Sequence, residues 1–184
     1  MKNLNLLRIA LGLVFLLAAP PIWADTFTFS LIPPTGDVSG APGSTVGWGY
    51  TITNNSSDYW LVTTDLGATG SFHDGTPMDI FDFPDLAPGG TMTEDFNPAI
   101  PTGLYELTWA GNAPGGSANS GNFDLSAQWY NGNPLSGGTF VSDATDQTQP
   151  YSASVVASVP EPAPFLLLLT GLWGLEALRK RRTA

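Results

Sequence analysis

Two stretches of the chain alternate apolar and polar residues with a period of two. Over residues 26–31 the alternation sets Phe27, Phe29 and Leu31 on one side and Thr26, Thr28 and Ser30 on the other. Over residues 45–52 it does the same with Val46, Trp48, Tyr50 and Ile52. Successive side chains of a β-strand point to opposite faces, so both segments predict strands with one buried face. Further strands are predicted at 59–64, 79–83, 91–96, 104–109, 122–130 and 152–156, separated by Asn-Asn-Ser-Ser, Pro-Gly-Gly and similar turn clusters. With no helical period between them, seven or eight short strands predict an all-β domain, an antiparallel β-sandwich of immunoglobulin-like type. Asn131-Gly132 suits a tight hairpin and Gly137-Gly138 suits a longer loop equally well. No equal-length repeat points to a solenoid or propeller.

The two ends follow another pattern. Lys2 and Arg8 lead into an unbroken apolar run at 9–19, followed by Pro20, Pro21 and Ile22-Trp23-Ala24. This is the three-part order of a secretory signal peptide. The run is too short to cross a hydrocarbon core of roughly 30 Å at about 1.5 Å per residue. Residues 1–24 are therefore expected to be removed between Ala24 and Asp25. At the other end, Pro160, Glu161, Pro162 and Pro164 precede an apolar stretch at 165–178, which Arg179, Lys180, Arg181 and Arg182 close. Proline lacks an N–H donor and clashes with the preceding turn, so a single transmembrane helix is predicted to begin near Phe165. A basic cluster resists translocation and stays in the cytoplasm, which leaves residues 25–158 facing outward. At about 1.5 Å per residue the helix spans roughly 21 Å, marginal for a permanent anchor, although the basic side chains can snorkel and neutralise Glu176.

In these residues the chain resembles the PEP-CTERM proteins of Gram-negative bacteria. Pro160-Glu161-Pro162, the helix at 165–178 and the basic stop at 179–182 match that family's tail in order and spacing. The resemblance covers only residues 159–184. It implies recognition by an exosortase-type processing enzyme after Sec export and signal peptidase cleavage. It further implies transient residence in the inner membrane, removal of the tail, and delivery to the cell surface or exopolysaccharide matrix. Some bacterial ice-binding proteins carry the same kind of tail.

Charge sharpens the picture of the middle. All six Lys and Arg residues of the chain lie at 2, 8 and 179–182. Of the sixteen Asp and Glu residues only Glu161 and Glu176 belong to the tail, so the exported segment carries fourteen carboxylates and neither Lys nor Arg. Nucleic acid, which needs Lys and Arg to displace its counterions, is excluded as a partner. Salt bridges to Lys or Arg within the segment are excluded too. The chain has no cysteine, so a core rich in Phe, Trp and Tyr must stabilise it without disulfides.

Candidate chemistry is sparse. His73, in Ser71-Phe72-His73-Asp74-Gly75, has no nucleophile motif beside it, and no cation is present to orient an anionic intermediate. No enzyme is expected, and no cofactor. Asp74, Asp79, Asp82 and Asp85 fall close together in sequence among Gly and Pro, a supply of oxygens that calcium could use without EF-hand spacing. Thr-x-Thr occurs at Thr26/Thr28, Thr51/Thr53 and Thr91/Thr93, in unrelated segments, and reads as the outward side of amphipathic strands. Tyr59-Trp60 and Trp129-Tyr130 read chiefly as core, with stacking on sugar rings as the functional alternative. Asn54 and Asn55 each begin an Asn-x-Ser sequon suited to a surface loop. The expectation is a non-enzymatic structural or adhesive surface protein linked with exopolysaccharide; the alternative is a carbohydrate- or ice-binding module on the same tail.

Overall fold

The computed structural model describes residues 25–156. Ala24, the Pro160–Pro162 motif, the apolar stretch at 165–178 and the basic stop at 179–182 lie outside them. Among the described residues no helix is long and apolar enough to cross a membrane.

The strands are β1 (Phe27–Ile32), β2 (Asp37–Gly40), β3 (Thr45–Asn54), β4 (Trp60–Ala68), β5 (Gly75–Asp79), β6 (Asp85–Leu86), β7 (Thr91–Glu94), β8 (Tyr105–Trp109), β9 (Ala118–Asn131), β10 (Thr139–Asp143) and β11 (Gln147–Val155). They form two sheets. The first runs β1-β3-β8-β5, with β7 beside the far half of β3; the second runs β2-β11-β9-β4-β6, with β10 beside the far end of β9. The long strands β3 and β9 thus each serve two neighbours in succession along one edge.

The all-β two-sheet sandwich agrees with the alternation in the sequence. Phe27, Phe29 and Leu31 of β1 and Val46, Trp48, Tyr50 and Ile52 of β3 are all buried. Across from them lie Leu61, Phe123, Leu125, Trp129 and Tyr151. Trp48 packs edge-on against Phe123 and Tyr151, with ring centroids 5.2 Å apart in each pair. Each such side chain contributes about 1.5–3 kcal/mol through burial. Polar pins cross between the layers, where Trp48 Nε1 donates to the Gly36 carbonyl at 2.7 Å and Gln149 Nε2 to the Phe29 carbonyl at 2.9 Å; within the second sheet Tyr151 Oη donates to the Thr69 carbonyl at 2.8 Å and ties β11 to the end of β4.

Three expectations are corrected and one pair of alternatives is decided. The sandwich is not wholly antiparallel: after β1 the chain turns through Pro33–Gly36 into the other sheet, where β2 pairs parallel with β11. The strand expected at 79–83 ends at Asp79, where the carboxylate accepts the Phe81 N–H at 2.9 Å and bends the backbone out of the ladder. The link from β9 to β10 is the longer loop, because Asn131 pairs with Thr139 and a short 3₁₀ turn at Pro134–Ser136 fills the interval. Asn54 is not on a surface loop but fully buried, so only Asn55 of the two sequons is exposed.

Gly47 and Gly49 on the outer side of β3 show why that strand is covered on both faces in its middle. A Cβ on Gly47 would run into the Phe96 ring, and one on Gly49 into the Glu94 carbonyl, so the segment after β7 crosses directly over bare backbone.

Candidate binding face

The outer side of the second sheet brings together residues far apart in sequence. Inward positions Leu61, Ala127 and Trp129 are core, so alternation turns Trp60, Val62, Gln128 and Tyr130 outward. Trp60 stands opposite Tyr130, and Tyr130 opposite Phe140. The result is an aromatic row across β4, β9 and β10, with Trp60 and Tyr130 half-buried and Phe140 53% exposed. Tyr130 and Phe140 meet edge to face, with centroids 6.0 Å apart, so the row is a stepped ridge. A bulge at Val141 leaves Phe140 in register while twisting the free edge of β10 away from regular pairing. Leu135, in the loop that precedes β10, is also exposed.

The next row along the strands is Asp85, Val62, Gln128 and Asp143. Gln128 Nε2 donates to Asp143 Oδ1 at 3.0 Å. Beyond it Asp65 pairs with Ser126, and Asp124 accepts from the Thr148 hydroxyl at 2.7 Å. Burial pushes the Asp85 carboxyl above the usual carboxylate range. The ridge is therefore bordered by carboxylates without any cation among them.

The first sheet presents a different outer surface. Thr28, Thr53 and Thr91 form one cross-strand row and Ser30, Thr51 and Thr93 another. Thr51 and Thr93 hydroxyls lie 3.0 Å apart, as do those of Thr53 and Thr91. Thr51/Thr53 and Thr91/Thr93 are thus in register rather than unrelated, with Thr28 and Ser30 of β1 beside them and Thr26 outside the rows, and none of the residues turned outward there by β1, β3 and β7 is charged. Their shared signal was an apolar residue between two hydroxyls: Phe29, Ile52 and Met92 all point inward.

The four aspartates considered for calcium do not converge. Asp74 accepts from Ser117 Oγ, Asp79 caps its own loop, Asp82 accepts from Tyr50 Oη, and Asp85 lies in β6. Among the described residues no three His, Asp or Glu side chains are grouped to hold a metal ion. Tyr50 Oη lies 2.7 Å from Asp82 and 3.3 Å from Glu94; burial first, then these acids, hold its hydroxyl far above the usual tyrosine range. His73 is exposed, its backbone held by both ends of the buried Asn119 amide.

Of the aromatic pairs flagged in the sequence, Trp129 is core whereas Trp60 and Tyr130 face outward. Phe140 was missed with its strand. The run Thr139-Phe140-Val141 directly after Gly137-Gly138 was the available signal.

No protein-family model matches the chain, and no curated protein matches it either. Similar solved structures include the ASH/PapD-like domain of human CEP192, at 8% identity and a TM-score of 0.39 over 78% of this chain and 94% of that one. CaCohA2 of Clostridium acetobutylicum is similar at 20% identity and a TM-score of 0.33 over 74% and 94%. AggA, the major subunit of aggregative adherence fimbriae type I of Escherichia coli, is similar at 12% identity and a TM-score of 0.29 over 73% and 97%. With TM-scores below 0.5 these likenesses carry no functional argument.

Proposed function

We propose that this chain is an exported, non-enzymatic surface or matrix protein, delivered through its PEP-CTERM-like tail, whose immunoglobulin-like sandwich adheres to polysaccharide. The observation that carries the adhesive role is the outward row Trp60–Tyr130–Phe140, together with exposed Leu135. Aromatic rings present apolar faces to the C–H faces of sugars while a tyrosine hydroxyl stays wet. Contiguous exposed apolar surface of this kind marks an interaction site on a soluble domain. Strand order β1-β3-β8-β5 against β11-β9-β4 supports the immunoglobulin-like description. Signal peptidase, the Sec machinery and an exosortase-type enzyme are the processing partners in this reading, and the inner membrane is a stage on the route to the surface.

The test has two arms. Intact mass of the protein from host membrane and extracellular fractions should give a species that begins at Asp25 and ends near Pro160–Pro162. Retention on host exopolysaccharide should fall at least tenfold for Phe140→Ala. A cytoplasmic species still carrying residues 1–24, or unchanged retention of the variant, would sink the proposal. The registered hydroxyl rows of the first sheet favour a second reading, ice binding, which predicts partition into slowly grown ice that Thr51→Val abolishes.

A further inference from the structure

The aromatic ridge and its acidic border point to one class of glycan. Resting on the polysaccharide-binding reading above, we propose that the outer face of the second sheet takes a cationic amino-sugar polymer, a hexosamine chain with free amines, in preference to neutral or acidic glycans.

Charge complementarity on a defined sheet face selects this class. The exported segment has fourteen carboxylates and no Lys or Arg, so an acidic polysaccharide approaches against the field of the whole domain. Those carboxylates are not spread evenly over the two outer faces. On the first sheet β1, β3 and β7 turn only uncharged residues outward, with hydroxyls forming two rows, and β8 adds the single carboxylate Glu106. On the second, Asp85, Asp143, Asp65 and Asp124 lie on the same side as the aromatic row. Asp143 and Asp85 sit at opposite ends of the row adjoining the ridge, joined through Gln128 and Val62. Neighbouring strands lie about 4.8 Å apart and residues two apart along a strand about 6.7 Å. A sugar ring seated on Tyr130 or Phe140 therefore has a carboxylate within one strand-repeat of its substituents. A ring ammonium would find two attractions there, a carboxylate oxygen and the face of an aromatic ring. A neutral N-acetyl group finds only the Gln128–Asp143 amide pair, and a uronate finds repulsion.

The probes are a glucosamine oligomer, its fully N-acetylated counterpart and an oligogalacturonate, titrated into the exported protein recovered from its host at low salt. The glucosamine oligomer should bind at least tenfold tighter than the N-acetylated one, and the galacturonate should not bind. Added salt should erode the preference, because exposed charges a Debye length apart are screened at about 0.1 M. Phe140→Ala should weaken both of the first two probes. Asp143→Asn should lower only the amine preference, about threefold to tenfold, whereas Asp37→Asn on exposed β2 should leave it unchanged. Equal or tighter binding of the N-acetylated oligomer would overturn the inference while leaving polysaccharide adhesion standing. Equal effects of Asp143→Asn and Asp37→Asn would also overturn it, by reducing the preference to net charge. No binding of any glycan would overturn both readings.

Discussion

Asn54 offers the most direct trial of how the two sheets are tied together. Its side chain is fully buried. Nδ2 donates toward the carbonyls of Tyr59 at 2.8 Å, Leu86 at 3.1 Å and Ala87 at 3.0 Å, and Oδ1 accepts the Ser56 N–H at 2.9 Å. One residue of β3 in the first sheet thereby holds the start of β4 and the end of β6 in the second. Asn54→Ala strips partners from three carbonyls and one N–H, each costing about 1–3 kcal/mol if left dry. Two amide hydrogens serve the three carbonyls, and a carbonyl has a second lone pair, so the lower end applies: about 3–5 kcal/mol in all. Against a typical total of about 5–15 kcal/mol, that is a large share. Urea unfolding at 25 °C should show a fall in midpoint of about 2 M at unchanged slope, for a slope of about 2 kcal/mol/M. The neighbouring exposed Asn55→Ala should stay within about 0.5 kcal/mol. A loss below about 1 kcal/mol for Asn54→Ala, or equal losses for the two variants, would refute the pin.

Asp85 is raised above its usual value of 3.8 by burial, so its neutral form is favoured in the fold. Its favourable contribution is complete below that value and is lost as pH rises; Asp85→Asn should raise Tm at neutral pH, with the gain vanishing in strong acid. Tyr151 is pushed up to about 12, mainly by burial. Its stabilisation is present below the ordinary value of 10.0 and lost as pH rises toward 12, so Tyr151→Phe should flatten the alkaline fall in Tm over that window. Gly49→Ala should destabilise by about 1–3 kcal/mol in chemical denaturation, because the Glu94 carbonyl and Asp95 backbone occupy the space a Cβ needs.

How far the fold was legible depended on length and burial. Strands β1 and β3 declared themselves because five and more residues alternate against a single core, as Phe27-Thr28-Phe29-Ser30-Leu31 does. Strands β2, β6 and β10 did not. Asp37–Gly40 and Asp85–Leu86 are too short to show a period, and every residue of Thr139–Asp143 is exposed, so neither face is marked apolar. The aromatic row was half legible for the same reason. Trp60 and Tyr130 could be named from composition, but which of Trp129 and Tyr130 faces out follows only from β9's place opposite β4. Phe140 depended on a strand without a periodic signature. Register is a long-range property, set between residues such as Thr53 and Thr91 that no local window contains.

The parallel pairing of β2 with β11 has a mechanical consequence. Strand β9 runs from Ala118, beside Ser154, to Tyr130 at the opposite pole, where the aromatic ridge lies. Val155, from which the chain continues toward residues 159–184, is therefore at the far end of the domain from the ridge. A force applied between a bound polymer and the C-terminal segment runs lengthwise along β11. Its eight pairings with β9 on one side and four with β2 on the other then resist in shear, all at once, instead of parting one by one like a zipper. In the proposed reading the adhesive face and the C-terminal segment thus lie at opposite ends of the domain, and β11 carries the load between them.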